Sequence, residues 1–142
     1  MPRLVSGIGE DFAYEATVTA GTAVAEGDVL DINGNVLQRA TASSTIHTLA
    51  AVAAETISTT ATKIRVIPII GNETQIWEFD TANNTDSTER YENCILTDHD
   101  TLNNTDTTVT GSTGIFTILN FVGATGDKKV LGHFNRLQVT ST

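Results

Sequence analysis

Residues 29–40 read VLDINGNVLQRA, two short apolar runs on either side of the dipeptide Asn33-Gly34. Asn-Gly suits the two positive-φ positions of a type I′ turn, which joins adjacent antiparallel strands. Runs this short, bounded by turn residues, indicate strands more than helices. The stretch therefore predicts a β-hairpin with Asn33-Gly34 at its turn.

Alternation of apolar and polar residues extends this β pattern in both directions. From Phe12 to Thr19 and from Thr74 to Asp80, side chains alternate with the period of two that a half-buried strand shows. Residues 43–58 leave a helix or a strand open, because LAAVAAE fits two helical turns while the residues before it prefer extended backbone; we favour the strand. About nine strands are predicted, at residues 12–19, 29–32, 35–40, 43–58, 63–70, 74–80, 91–96, 115–122 and 130–139.

Composition favours the same fold class. The 142 residues include 25 Thr and 10 Asn but only 3 Lys and 2 Pro, which suits strands and polar turns. A chain of this length closes one core. We therefore predict an all-β, single-domain sandwich or barrel-like fold, jelly-roll or tulip-like, over residues 12–142.

Residues 1–11 differ from the rest of the chain. Their apolar side chains are interrupted by glycines, and the segment is too short to pack by itself. We predict an extended N-terminal arm that buries Leu4, Val5 and Ile8 on a neighbouring chain; the alternative is a disordered start without a role.

The charge excludes several function classes. Seventeen Asp and Glu against eight Lys and Arg give a formal charge of −9, which argues against binding to a phosphate backbone. No apolar run is long enough to span a membrane, and the start lacks the apolar core of a signal peptide. We expect neither a nucleic-acid nor a membrane partner.

Residues with catalytic or metal-binding chemistry are few. Asp98-His99-Asp100 offers two carboxylates and an imidazole, but on a strand His99 would point away from both, so a solvated loop is favoured over a metal site or an oriented base. Cys94 lies beside apolar residues and is interpreted as a small buried hydrophobe. We predict no enzyme, no cofactor, no metal and no small-molecule substrate.

A short repeat stands out in the polar loops. Residues 80–86 and 100–106 both read D-T-x-N-N-T-D, and we expect the two loops at opposite ends of a strand pair. Their alternating oxygens resemble a calcium loop without its central Gly and closing Glu, whereas Asn and Asp also form Asx-turns without an ion. The Asx-turn interpretation is favoured, and ion binding stays open.

The sequence resembles the head decoration, or cement, proteins of tailed double-stranded DNA bacteriophages. Residues 18–30, VTAGTAVAEGDVL, are similar to the T-A-G-T-x-V-x-x-G-D-V-L openings of such virion proteins, and NFVGA at 120–124 leading into KKVLG at 128–132 has the same character. The likeness covers most of the chain but in short, degenerate motifs.

The resemblance implies a structural protein made in the bacterial host cytoplasm and located on the outer face of the virion capsid. Such proteins bind the major capsid protein as homotrimers at local threefold sites and stabilise the mature shell against internal DNA pressure. We expect the capsid or subunit contacts to include the apolar residues Leu4, Val5, Ile8, Phe12, Tyr14, Trp77 and Phe79. The alternatives are a receptor- or glycan-binding β-sandwich of a virion or cell surface, and an accessory β-domain of an enzyme complex.

Overall fold

The computed structural model describes residues 1–7, 12–19, 21–70, 74–106, 109, 113–124 and 126–135. The all-β prediction is confirmed, with eleven strands in these ranges instead of about nine. The two additional strands lie in the predicted arm and in the second polar loop. The strands are β1 Arg3–Gly7, β2 Tyr14–Thr17, β3 Val29–Asn33, β4 Val36–Arg39, β5 Leu49–Ala53, β6 Lys63–Pro68, β7 Gln75–Thr81, β8 Asn93–Asp98, β9 Thr101–Asn103, β10 Phe116–Phe121 and β11 Lys129–Phe134. One 3₁₀ helix, Ser87–Glu89, precedes β8.

The first sheet closes into a small barrel. Its order is β1-β7-β11-β10-β8-β9, and β9 pairs with β7 in parallel, so the five strands β7, β11, β10, β8 and β9 form a ring. Strand β1 lies outside the ring, antiparallel to β7. Closure removes the exposed edges that an open sheet would present along these five strands.

The second sheet has the order β2-β6-β5-β3-β4. It curls until Val18, just after β2, forms an isolated parallel bridge with Leu37 of β4. One set of its side chains, including Val29, Leu49 and Val52, shares a buried cluster with the barrel aromatics. A second cluster, which includes Leu30 and Ile64, fills the interior of the curled sheet. Strand β5 contributes to both clusters, and all five of its residues are buried.

Strand β5 also decides the open question at residues 43–58. Leu49–Ala53 is a strand, as we favoured, and not part of a helix. It lies between β3 and β6 in the sheet, with packed clusters on both sides. A strand buried on both faces carries a continuous apolar run, which by periodicity alone looks like a buried helix.

The hairpin is confirmed, but its turn is one residue further along than predicted. Asn33 pairs with Val36, so Gly34 and Asn35 are the central residues. Gly34 has φ +65°, and Asn35 is not among the described residues with positive φ. Positive φ at the first central position alone is the type II′ pattern, which requires Gly there. The glycine therefore sets the turn type.

The predicted arm is partly a strand of this same chain. Arg3 pairs with Glu78 and Leu4 with Trp77, with a bulge between Leu4 and Ser6. Arg3 Nη2 also lies 2.9 Å from Glu78 Oε2. Leu4 packs against the core of its own chain, where the sequence predicted a contact with a neighbouring chain. Ile8 and the remaining arm residues 9–11 lie outside the described residues.

Strand β7 confirms the alternation predicted for residues 74–80. Gln75, Trp77, Phe79 and Thr81 are buried, while the residues between them are half-buried. Trp77 and Phe79 are 1% and 0% exposed. Both side chains therefore belong to the core of the chain.

Candidate functional site

An uncharged groove lies on the second sheet where β2 and β4 are no longer paired. We call it the β2–β4 groove; its volume is about 310 Å³, at the lower limit of the roughly 300–1,000 Å³ typical of small-molecule sites. Its lining residues are Tyr14, Ala16, Thr17, Ile32, Gly34, Asn35, Val36 and Leu37. None of them is charged, although the chain carries a formal charge of −9.

Large apolar side chains remain exposed at this groove. Tyr14 is 45% and Ile32 43% exposed, and Phe12, two residues before Tyr14, is 59% exposed. Apart from the Val18–Leu37 bridge, no strand pairing joins β2 to β4 in the described ranges. Strands β2 and β4, which form the two walls of the groove, therefore leave these side chains uncovered.

The predicted contact residues do not form one surface. Tyr14 lines the β2–β4 groove and Phe12 is exposed two residues before it, whereas Val5, 47% exposed, lies at the bulge of β1 on the other sheet. Leu4 is half-buried. Sequence reasoning identified Tyr14 but missed Ile32, because Ile32 was assigned only to the hairpin. The sequence signal for Ile32 was that it lies between two polar residues, Asp31 and Asn33.

His99 lies in a polar cluster that joins the two sheets. Its Nδ1 is 2.9 Å from Asp28 Oδ1, and its Nε2 is 3.2 Å from Arg39 Nη1. The His99 carbonyl accepts the N–H of Val29 at 2.7 Å. The turn between β8 and β9 is therefore attached to the start of β3 and to β4. Sequence reasoning missed Asp28 and Arg39, which lie 71 and 60 residues from His99.

The partners of His99 fix the role of each ring nitrogen. A guanidinium can only donate, so Nε2 accepts from Arg39 and Nδ1 donates to Asp28. Asp28 is 2% exposed, and its Oδ2 accepts the N–H of Ala25. A buried carboxylate is stable when it is hydrogen-bonded in this way. The solvated-loop interpretation of His99 is therefore replaced by that of a hydrogen-bonded clasp between the sheets.

The same cluster includes the donor types of a metal site. One ligand atom each from Asp28, His99 and Asp100 lie within 4.8 Å of one another. However, both ring nitrogens of His99 already have partners from the chain, and Thr101 Oγ1 donates to Asp100 Oδ1 at 2.9 Å. A metal ion would have to displace one of the two His99 contacts. The geometry therefore favours the clasp.

The two D-T-x-N-N-T-D loops lie side by side, which corrects the expectation that they sit at opposite ends of a strand pair. Asp80 pairs with Thr101 and Thr81 with Leu102 in the parallel β7–β9 contact that closes the barrel. The Asn83 N–H then donates to Asn104 Oδ1 at 3.1 Å. The repeats thus run in the same direction with an offset of one residue, and together they form the closing seam of the barrel.

Asn104 is the centre of this seam. Its side-chain amide donates to the carbonyls of Asn83 and Asn84 and to both carboxylate oxygens of Glu89, at 3.1–3.3 Å. Asn104 and Glu89 are 5% and 8% exposed. Burial raises the pKa of Glu89, and the hydrogen bond from Asn104 opposes that shift.

The raised pKa of Glu89 predicts a pH dependence of stability. The folded state holds the Glu89 proton more tightly than the unfolded state, in which the pKa of a glutamate is about 4.5. This group should therefore make the protein less stable as the pH rises from 4.5 through the raised pKa of the folded state. Glu89→Gln keeps an acceptor for Asn104 and removes the ionisation. Urea unfolding at a series of pH values should show the variant gaining stability over the parent as pH rises, and a pH-independent difference would contradict this.

Cys94 is buried, as predicted. It is 2% exposed, and burial raises the pKa of its thiol to about 12. The thiolate is the nucleophilic form of cysteine, so this side chain is not an activated nucleophile. Its place is in the barrel core.

Tyr91 is the most exposed large hydrophobic residue described, at 69%. Its φ of 68° is positive, which is uncommon for a bulky residue and indicates local backbone strain. The preceding Arg90 places its guanidinium 5.3 Å from the centre of the Phe121 ring. Tyr91 is therefore an exposed aromatic side chain on the barrel, where its N–H donates to the Ile118 carbonyl.

Comparison with models of known protein families gives no match, and no curated protein is detectably similar to the chain in sequence. Within the described ranges, no helix has both the length and the apolar character needed to cross a membrane.

Proposed function

We propose that the chain is a head decoration protein of a tailed double-stranded DNA bacteriophage. It binds the outer surface of the mature capsid through the face that contains the β2–β4 groove. The observation that carries this proposal is the uncharged groove with exposed Tyr14 and Ile32 on a chain of formal charge −9. Exposed apolar patches rimmed by polar residues mark protein–protein contacts and ligand-binding grooves.

The physical role follows from linkage. A protein that binds the mature lattice and not its dissociated subunits stabilises the shell by its binding free energy. Apolar contact suits this task, because it does not depend on ionic strength as surface ion pairs do.

The proposal includes a homotrimer at local threefold sites and a contact with the major capsid protein. Three copies that bind together gain effective concentration, so a weak contact in each subunit gives tight binding overall. Measuring the mass of the free protein in solution distinguishes a trimer from a monomer. The jelly-roll or tulip-like classification stays part of this proposal.

The test is a titration onto undecorated mature capsids of the phage that encodes the chain. The double variant Tyr14→Ser with Ile32→Ser should bind at least about tenfold more weakly than the parent, the loss expected when central apolar contacts are removed. Tyr91→Ser, which removes an exposed aromatic on the barrel, is the matched control and should bind normally. Equal binding by all three proteins would contradict docking through the groove.

Deleting residues 2–10 is not a suitable test of docking. Arg3–Gly7 pairs with β7, so the deletion removes a strand of the folded sheet and exposes Trp77 and its neighbours. If the deletion variant failed to bind capsids, the cause could equally be a damaged fold or the loss of a contact between the arm and the capsid.

The second candidate is a receptor- or glycan-binding module, and Tyr91 is the observation that favours it. An exposed aromatic ring on a strained turn provides a stacking face for a sugar ring. On this proposal Tyr91→Ser abolishes binding to a glycan array and the groove variants do not. The two candidates therefore predict opposite outcomes for the same three proteins.

A further inference from the structure

We propose that Asn33 is a modification site, at which the side-chain amide is lost by spontaneous deamidation and a carboxylate forms at the edge of the β2–β4 groove. The reaction needs water and neither an enzyme nor a cofactor. This inference goes beyond the proposed function, and only its effect on capsid binding rests on that function.

The dipeptide Asn33-Gly34 is the only Asn-Gly pair in the chain. Deamidation begins when the backbone nitrogen of the next residue attacks the side-chain carbonyl carbon of asparagine. A side chain on that next residue hinders the approach, and glycine has none. Every other Asn of the chain is followed by a residue with a side chain. The sequence therefore favours this reaction at Asn33 over the other Asn positions.

The turn leaves the attacking nitrogen of Gly34 accessible. Asn33 and Gly34 are both exposed, and apart from the adjacent residues no atom lies within 4 Å of the point that a Gly34 Cβ would occupy. Among the described residues, no hydrogen bond from the Gly34 N–H is present. The Asn33 side chain donates from Nδ2 to Gln38 Oε1 at 3.1 Å, and this bond is exposed. Water therefore reaches both reacting groups.

The position of Asn33 in the hairpin limits the disruption that the reaction requires. Ring closure constrains the Asn33 backbone, so Asn33 must first leave its regular extended conformation. Asn33 is the last residue of β3 and pairs with Val36, so opening this terminal pair leaves the earlier pairs of the hairpin in place. The ends of strands open more readily than their centres. Asn104, by contrast, is 5% exposed and could react only if the barrel seam opened.

The reaction balances with water as the only co-reactant. The Gly34 nitrogen bonds to Asn33 Cγ, and the side-chain nitrogen leaves as ammonia with the proton that the Gly34 nitrogen gives up. Water then opens the resulting succinimide ring at one of its two carbonyl carbons, and ammonia takes up the proton of the new carboxyl group. Opening at the side-chain carbonyl gives aspartate with the original backbone. Opening at the backbone carbonyl gives isoaspartate, whose main chain runs through Cβ and Cγ.

Either product changes the edge of the groove. The lining includes Gly34 and Asn35 and no charged residue, and the new carboxylate adds one negative charge beside it to a chain of formal charge −9. Isoaspartate also lengthens the main chain next to Gly34, whose φ of +65° sets the two-residue turn. Desolvating a charge opposes contact with an apolar partner. We expect the modified hairpin to bind a partner through the groove more weakly.

Mass spectrometry tests the modification on the intact protein, which is incubated in mildly alkaline buffer and then digested. The peptide that contains Asn33 should gain about 1 Da, the difference between a carboxyl and an amide group. Fragment ions should place this gain at Asn33 and not at Asn35. Part of the product should be isoaspartate, which protein isoaspartyl methyltransferase labels.

Asn84 is the matched control within the same chain. It is exposed like Asn33, but the next residue is the buried, β-branched Thr85. Asn33 should react at least about tenfold faster than Asn84. Equal rates at the two positions, or an Asn33 that stays unmodified, would overturn the proposal.

Asn33→Gln is the matched variant. Its longer side chain would have to close a larger ring, which forms more slowly, while Gly34 and the turn are retained. The mass gain of the hairpin peptide should slow at least about tenfold. A gain as fast as in the parent would place the reaction at Asn35 and contradict the proposal. Gly34→Ala is less suitable, because alanine at a φ of +65° strains the turn.

The effect on docking is measured separately from the modification. Fresh parent, aged parent and Asn33→Asp are titrated onto undecorated mature capsids, and the last two should bind at least about tenfold more weakly than the first. Aged Asn33→Gln should bind like fresh protein. Deamidation that leaves capsid binding unchanged would retain the modification site and reject its effect on docking. Deamidation of a protein that binds no capsids even when fresh would retain the site and reject the decoration role.

Discussion

Replacing Trp77 by alanine should lower the free energy of unfolding by about 3 to 5 kcal/mol, the range for large aromatic side chains deleted from a packed core. Trp77 is 1% exposed and meets Phe134 edge-on, with ring centres 5.5 Å apart. Phe134 in turn contacts Phe79 and Phe116 at 5.7 and 5.3 Å. The cavity would open beside Phe134, the ring that joins Trp77 to the other two.

Urea unfolding followed by far-ultraviolet circular dichroism measures the effect, because the variant lacks the only Trp of the chain. Trp77→Phe is the matched control: it keeps an aromatic ring and removes an indole N–H that has no acceptor among the described residues. We expect it to cost clearly less than the alanine variant. A Trp77→Ala protein as stable as the parent would show that this ring is not part of the core.

Asn104→Ala should cost about 2 to 4 kcal/mol, because it leaves several buried polar groups without partners at once. The Glu89 carboxylate loses its amide donor, and the Asn83 N–H loses its acceptor. The parallel contact between β7 and β9, which closes the barrel, is only two residue pairs long. Loss of Asn104 therefore weakens the ring at one of its two shortest strand pairings.

The control is Asn84→Ala, the equivalent position of the first repeat. The Asn84 side chain is exposed, and only its backbone carbonyl accepts from Asn104, so we expect a change within about 0.5 kcal/mol. Thermal and urea unfolding of the two variants give the comparison. Equal stabilities would mean that the seam is held by backbone pairing alone.

Local patterns predicted most strands but not the contacts between distant ones. The alternation around Trp77 and the turn glycine Gly34 are local signals, and both correspond to strands in the structure. Strand β1 was interpreted as an arm, because the partner that covers Leu4 is Trp77, far along the chain. Strand β9 has three residues inside a polar loop, too few to show a period.

The candidate site was less predictable than the strands. The His99 clasp depends on Asp28, 71 residues away, and no local pattern indicates that pairing. The β2–β4 groove depends on where two strands stop pairing, which is a property of sheet curvature. The repeated D-T-x-N-N-T-D motif was the one long-range signal in the sequence. Two closely similar segments that extend two strands in the same direction can pair in parallel, which local periodicity does not indicate.

The chain order of the two sheets has a consequence for biosynthesis. Strands β2 to β6 are consecutive, so the second sheet can form as soon as residue 68 has left the ribosome. The barrel cannot form at that stage, because β11, the last of the described strands to be synthesised, lies between β7 and β10. Until Lys129–Phe134 has been synthesised, both neighbours of β11 present unpaired edges and Trp77 lacks Phe134. Translation that stalls between β10 and β11 would therefore release a half-folded chain with two edges prone to aggregation.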